Sequence, residues 1–79
     1  MPNCLSEKIK HKHIQPSGAV TRYTTQKGFV FEIYVGDGAD VYDEECNIIC
    51  FLGGFVGNTT CVDGTDTLAF SNPVVVWEE

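Results

Sequence analysis

The sequence predicts an α+β domain in which one short N-terminal helix packs on a small antiparallel β-meander of four to five strands, stapled by disulfides. Three observations support this fold class: the chain has only 79 residues, short apolar runs alternate with turn residues, and there are four cysteines. A chain of this length forms a single domain, residues 1–79. At this size a hydrophobic core alone leaves about 3–5 kcal/mol of stability, so covalent cross-links are a common addition.

A short helix and turn are predicted over residues 3–15. Asn3 or Ser6 is expected to cap the helix at its N-terminus. Leu5 and Ile9 lie one helical turn apart and form a narrow apolar stripe. Such a stripe can lie on a sheet but cannot form a core alone, so the helix is expected to pack on the strands that follow.

The β-meander is predicted over residues 18–61. Strands are expected at 19–24, 29–35, 40–43 and 47–52, with glycine-rich or acidic turns between them. The second strand alternates most clearly, with Phe29, Phe31, Ile33 and Val35 on one face and Val30, Glu32 and Tyr34 on the other. The first face is the expected core.

The C-terminal part, residues 62–79, is predicted to be a loop followed by an edge strand. The run Val74-Val75-Val76-Trp77 has strand composition, and Pro73 before it is tolerated at a sheet edge but not in a central strand. A short ordered extension that pairs with no strand is the alternative.

The four cysteines, Cys4, Cys46, Cys50 and Cys61, are predicted to form disulfides. An even count in a short chain without paired C-x2-C knuckles favours a disulfide framework and an oxidising compartment. If residues 46–50 are extended, their outer α-carbons lie about 13 Å apart, whereas a disulfide needs roughly 4.4–6.8 Å. Cys46 and Cys50 are therefore not expected to bond to each other.

Two disulfide connectivities remain open. A two-residue turn at Gly53-Gly54 places Cys46 opposite Cys61 and leaves Cys4 to reach Cys50, and this hairpin register is the favoured one. The alternative pairs Cys4 with Cys46 and closes a glycine-rich loop with Cys50–Cys61. Either arrangement clamps the helix to the sheet.

Two kinds of metal site, for zinc and for calcium, are alternatives to the disulfide and binding-module interpretations. Zinc would need three cysteines together with His11 or His13, but Cys46 and Cys50 lie across a predicted strand and not in a turn, and the matched second pair of structural zinc sites is missing. Calcium would use the acidic run at residues 37–45, which does not match the spacing of a calcium-binding loop. A solvated acidic edge that discourages aggregation is favoured. Metal binding through the acidic run or the cysteines is kept as the alternative function, and no cofactor is expected.

Net charge and the absence of known sequence motifs argue against several classes of function. The net charge is −6, and all Lys, Arg and His residues lie within residues 1–27, so the rest of the chain is acidic and nucleic acid is not an expected partner. No nucleophile elbow, P-loop or H-E-x-x-H motif occurs, so no enzyme activity and no catalytic residue is predicted. No apolar run approaches the ~20 residues of a membrane span.

Four parts of the sequence form a recognisable pattern: Cys4-Leu5-Ser6-Glu7-Lys8-Ile9, the run from Val41 to Cys50, Gly53-Gly54-Phe55-Val56-Gly57, and Cys61. They give the chain a resemblance to a family of small uncharacterised bacterial lipoprotein or periplasmic domains. It implies export from a Gram-negative cell, often with a lipid anchor upstream of the domain, and no established activity. The family usually has adjacent cysteines where this chain has Val35-Gly36, so its bridge pattern does not carry over.

The expected function is that of a non-catalytic extracytoplasmic module, in the periplasm or at the cell surface, whose targeting segment is absent from this chain. A protein or a glycan is the expected partner. It would bind an open sheet edge or the aromatic face formed by Tyr23, Tyr34 and Trp77. The alternative is that these aromatic residues only cover the second face of the sheet.

Overall fold

A computed structural model describes residues 1–26, 28–36, 38–52, 59–61 and 70–78. In this part of the chain there are one helix and six strands. They are α1 (Asn3–Lys10), β1 (Val20–Thr25), β2 (Gly28–Val35), β3 (Gly38–Tyr42), β4 (Ile48–Leu52), β5 (Thr59–Cys61) and β6 (Ser71–Trp77).

The strands form one antiparallel sheet in the order β5-β4-β3-β2-β1-β6. Strands β1 to β5 follow one another in space as in sequence, and they make up a five-stranded meander. Strand β6 then pairs with the free side of β1, at the opposite edge from β5. The predicted fold class, one short helix on a small antiparallel meander with disulfides, is confirmed.

Helix α1 begins without the side-chain cap that the sequence suggested. Its N-cap is Pro2, whose carbonyl accepts hydrogen bonds from the backbone N–H groups of Leu5 and Ser6, each at 3.1 Å. Asn3 and Ser6 both lie inside the helix, so the predicted cap is wrong. The apolar stripe is correct, since Leu5 is fully buried and Ile9 packs against the same cluster.

The sheet buries side chains on both of its faces. On the face under α1, the buried cluster comprises Leu5, Ile14, Val20, Phe31, Ile33 and Tyr42. On the opposite face it comprises Val30, Val41, Cys50 and Cys61. The prediction that one face of β2 is buried is thus correct for Phe31 and Ile33, whereas Phe29 remains 39% exposed. Phe29 lies at the start of the strand, where the Arg22 guanidinium stacks 4.4 Å from its ring centre.

The two disulfides join Cys4 to Cys46 and Cys50 to Cys61. The favoured prediction of Cys46–Cys61 with Cys4–Cys50 is therefore wrong, and the alternative connectivity is confirmed. The expectation that Cys46 and Cys50 do not bond to each other is also confirmed.

The predicted register fails because it extends the fourth strand too far towards its N-terminus. Strand β4 begins at Ile48, and Cys46 precedes it in a turn with a φ of 66°, so its side chain does not follow the alternation of the strand. Within the β4–β5 ladder it is Cys50 that lies opposite Cys61, with a Cα–Cα distance of 3.9 Å. The predicted turn at Gly53-Gly54 lies outside the described residues.

The two bridges close loops of very different length. Cys4 and Cys46 are 42 residues apart in sequence, and Cys50 and Cys61 are 11 apart. In the chain-entropy model loops of these sizes correspond to about 4 and about 3 kcal/mol of stabilisation. Because the total stability of so small a domain is of similar size, both bridges matter for folding.

Replacing Gly28 with alanine is expected to lower the free energy of unfolding by about 1–3 kcal/mol. Gly28 begins β2 with a φ of 107°, which an L side chain rarely adopts, and an added Cβ would lie 2.7 Å from Oε2 of Glu44. Urea unfolding checks the change. Gly18→Ala is the matched control, because a Cβ at Gly18 meets no atom within 4 Å. Equal stability of the two variants would contradict a strained backbone at Gly28.

Candidate functional site

The three aromatic residues expected to form a binding surface do not share one face of the sheet. The Tyr23 ring lies 5.2 Å from that of Phe70, and both pack on the cluster opposite α1. Tyr34 points to the same side and is 49% exposed. Trp77 packs against the helix-side cluster instead. The structure therefore brings the two tyrosines to one face and separates Trp77 from them.

Glu32 is a buried carboxylate in the middle of β2. It is 6% exposed and lies on the same face as Val30 and Tyr34. Burial raises the pKa of Glu32 above its ordinary value, while a hydrogen bond donated by the Tyr34 hydroxyl works in the opposite direction. The strand alternation already placed Glu32 on the second face, but it did not predict that this carboxylate is buried there.

The neighbouring phenols respond to the same carboxylate. The pKa of Tyr34 is raised chiefly by the negative charge of Glu32, and then by its own burial. The pKa of Tyr23 is raised first by burial and then by Glu32. Both hydroxyls therefore remain protonated donors at neutral pH, next to a carboxylate that burial makes a weaker acid.

In the acidic turn between β3 and β4, carboxylates accept hydrogen bonds from backbone N–H groups. Oδ1 of Asp43 accepts hydrogen bonds from the backbone N–H groups of Glu45 and Asn47, each at 2.9 Å. Oε2 of Glu44 accepts a longer hydrogen bond, 3.4 Å, from the backbone N–H of Phe29. An Asp at the start of a turn is a common backbone-capping device, so the acidic run has a structural role here.

An open cleft of about 350 Å³ lies beside this turn. Apolar and acidic side chains line it together: Phe29, Val30, Asp43, Glu44, Glu45 and Ile49. Within the described ranges, no three His, Cys, Asp or Glu side chains converge in a way that would hold a metal ion. Asp37, the first carboxylate of the acidic run considered for calcium, lies outside the described residues.

The zinc ligand set considered from the sequence is not assembled. All four cysteine sulfurs are bonded in the two disulfides, which leaves no free thiol. His11 and His13 are exposed at the C-terminal end of α1, and Nε2 of His11 lies 3.2 Å from Oε2 of Glu7. These histidines sit on the solvent side of the helix.

Among the described residues, the longest strand with no strand beside one of its sides is β6. This strand is seven residues long, pairs with β1 on one side, and has no described strand on the other. No residue from Ser71 to Trp77 is charged. Val74 and Val75 are 42% and 52% exposed. Pro73 removes one N–H from the strand, but the remaining groups form an open edge.

These features define a small disulfide-linked α+β domain in which the uncharged strand β6 lies at one edge of the described sheet. The chain belongs to the family DUF6970, a domain of unknown function, whose family model matches residues 6–79. Searches of curated proteins and of solved structures found no match. Two disulfides fit an oxidising, extracytoplasmic environment. Within the described ranges, no helix is long and apolar enough to cross a membrane.

Replacing Glu32 with glutamine is expected to stabilise the protein at neutral pH. Because burial raises its pKa above 4.5, ionisation of this carboxyl is less favourable in the folded chain, and the wild type loses stability as pH rises from that value through the folded pKa. Below pH 4.5 the carboxyl is mostly neutral in both states, so wild type and variant should converge.

Urea unfolding of both proteins between about pH 3.5 and about pH 7.5 measures this difference. Glu45→Gln is the matched control, since it removes the same charge from an exposed position on the acidic turn. A Glu32→Gln protein that is less stable than the wild type at pH 7 would contradict an unfavourable buried charge.

Proposed function

We propose that this protein is an exported, non-catalytic binding module that recognises an extended segment of a partner protein by pairing it with β6. The open edge of β6 is the observation that carries the proposal. Strand addition uses backbone hydrogen bonds for affinity and alternate side-chain positions for specificity. Export to the periplasm or the cell surface is supported by the two disulfides and by the sequence resemblance described above.

The composition of β6 favours this use. Charged side chains, proline and bulges protect natural edge strands from pairing with other strands. Ser71–Trp77 carries no charge, and its Pro73 and two register shifts against β1 lie on either side of Val74 and Val75. The three consecutive valines have high strand propensity, and exposed Val74 and Val75 project from opposite faces of the sheet. A bound strand would therefore meet an apolar side chain on each face.

Charge favours a different protein over a second copy of this chain. Each copy carries a net charge of −6, so two copies repel each other as they approach. Glu78, exposed directly after β6, adds a negative charge at the end of the proposed binding edge. A partner segment that is neutral or basic suits this edge better than another acidic domain.

A glycan is the weaker alternative, because aromatic platforms for sugars need several exposed rings on one surface. Tyr34 is exposed, but Tyr23 packs on Phe70 and Trp77 lies on the other face of the sheet. The metal-binding alternative has no comparable support, since Asp43 already accepts two backbone hydrogen bonds.

Replacing Val75 with lysine is expected to weaken the binding of an extended peptide about tenfold, equivalent to about 1.4 kcal/mol. A random linear peptide library panned against the immobilised protein supplies the probe, and titration followed by amide chemical shifts locates the contact. The wild-type shifts should concentrate in β6 and β1. N-methylation of alternate peptide amides should abolish binding, because strand addition depends on backbone N–H donors.

The matched control is Phe51→Lys, which adds the same charge at another exposed apolar strand position, on β4. It should leave peptide affinity unchanged. Affinity that survives Val75→Lys, or shifts that concentrate around Tyr34 or the acidic turn, would contradict recognition by β6. Binding of an array-immobilised glycan with shifts at Tyr34 would favour the glycan alternative instead.

Thermal unfolding separates this proposal from the metal-binding alternative. A ligand that binds only the folded state must raise the melting temperature. We expect the same melting temperature with EDTA and with millimolar calcium or zinc. A rise on adding either metal, reversed by EDTA, would favour metal binding.

A further inference from the structure

The two disulfides differ sharply in their access to solvent. Cys50 and Cys61 are 0% and 6% exposed, inside the cluster opposite α1. Cys4 is exposed on the first turn of α1, and its partner Cys46 is half-buried in the turn after β3. Since a thiolate must reach a sulfur atom to exchange with a disulfide, access separates the two bridges chemically.

The exposed bridge is also the one covalent link between the helix and the sheet. Within the described residues, every backbone hydrogen bond of α1 ends on the helix itself or on the turns beside it. The other attachment is apolar packing, in which Leu5 and Ile9 of the helix and Ile14 of the segment after it meet the sheet. An eight-residue helix is too short to be stable in water without such tertiary support.

We propose that the Cys4–Cys46 disulfide is a thiol-exchange site that acts as a latch: reduction opens this bridge first and loosens α1 from the sheet, while Cys50–Cys61 remains intact. The chemical class of the reactant is a small thiol or a dithiol reductant. This inference does not depend on a partner at β6.

The exchange proceeds in two balanced steps. The thiolate of the reactant attacks one sulfur of the bridge, a mixed disulfide forms, and the other cysteine leaves as a thiolate. A second thiolate then attacks the mixed disulfide, which releases the oxidised reactant and the second cysteine thiolate. The protein disulfide is reduced by two electrons, and its two cysteine thiolates become thiols when they take up protons.

Loosening of the helix would uncover a specific apolar surface. The helix-side cluster contains Val20, Phe31, Ile33 and Tyr42 on three neighbouring strands, and Leu5 closes it from the helix. The opposite face keeps its own bridge between β4 and β5, so the sheet itself should stay folded.

Graded reduction of the wild-type protein tests the proposal. Samples taken during incubation with glutathione are blocked with N-ethylmaleimide and analysed by intact mass and by non-reducing peptide mapping. The expected intermediate carries labels on Cys4 and Cys46 alone, and this bridge opens at least about tenfold faster than the other. Simultaneous opening of both bridges, or earlier labelling of Cys50 and Cys61, would overturn the latch.

Hydrogen exchange measured on that intermediate tests the loosening. Amides of α1 should exchange at least about tenfold faster than in the oxidised protein, while those at the centre of β2 keep their protection. A Cys4→Ser, Cys46→Ser double variant should reproduce this pattern without reductant. Unchanged protection of α1 in the labelled wild-type intermediate would overturn the proposal, whether or not the variant folds.

Discussion

The Cys4–Cys46 bridge is the constraint on which the helix-side half of this domain depends. Helix α1 has only eight residues and no side-chain cap, and its stripe consists of Leu5 and Ile9. Its intrinsic helical stability is low, yet it must cover the central residues Phe31 and Ile33. A covalent link over 42 residues lowers the entropy of the unfolded chain enough to offset this weakness in the chain-entropy model.

The fold class followed from the sequence because its signals are local. Alternation over β2 and the turn residues around it each depend on a few neighbouring positions, and the cysteine count can be read without knowledge of the fold. The disulfide connectivity did not follow, because it depends on where β4 begins. Residues Glu45 to Asn47 form part of a turn that Asp43 organises through two backbone hydrogen bonds, and Cys46 takes a positive φ there. The strand pattern alone does not locate that boundary.

The candidate site was only partly predictable for a similar reason. An edge strand at the C-terminus follows from the valine run and from Pro73, but the strand beside which it lies is a matter of topology. Trp77 was expected with the tyrosines because all three are aromatic and lie outside the predicted core. The β1–β6 register, in which Trp77 lies opposite Val20, turns its ring towards α1 instead.

The two faces of the sheet are covered and cross-linked in different ways, so they differ in their response to thiols and to pH. The face under α1 is covered by a short helix that one exposed disulfide links to the turn after β3. The opposite face contains a buried bridge between two directly paired strands, together with a buried carboxylate whose ionisation opposes folding. The proposed thiol exchange would therefore act on the helix side, whereas a change of pH acts on Glu32. Strand β6 pairs with β1 through backbone hydrogen bonds and not through either bridge, but its Val76 and Trp77 pack against the cluster that α1 covers, so opening of the proposed latch would also change the surroundings of this edge.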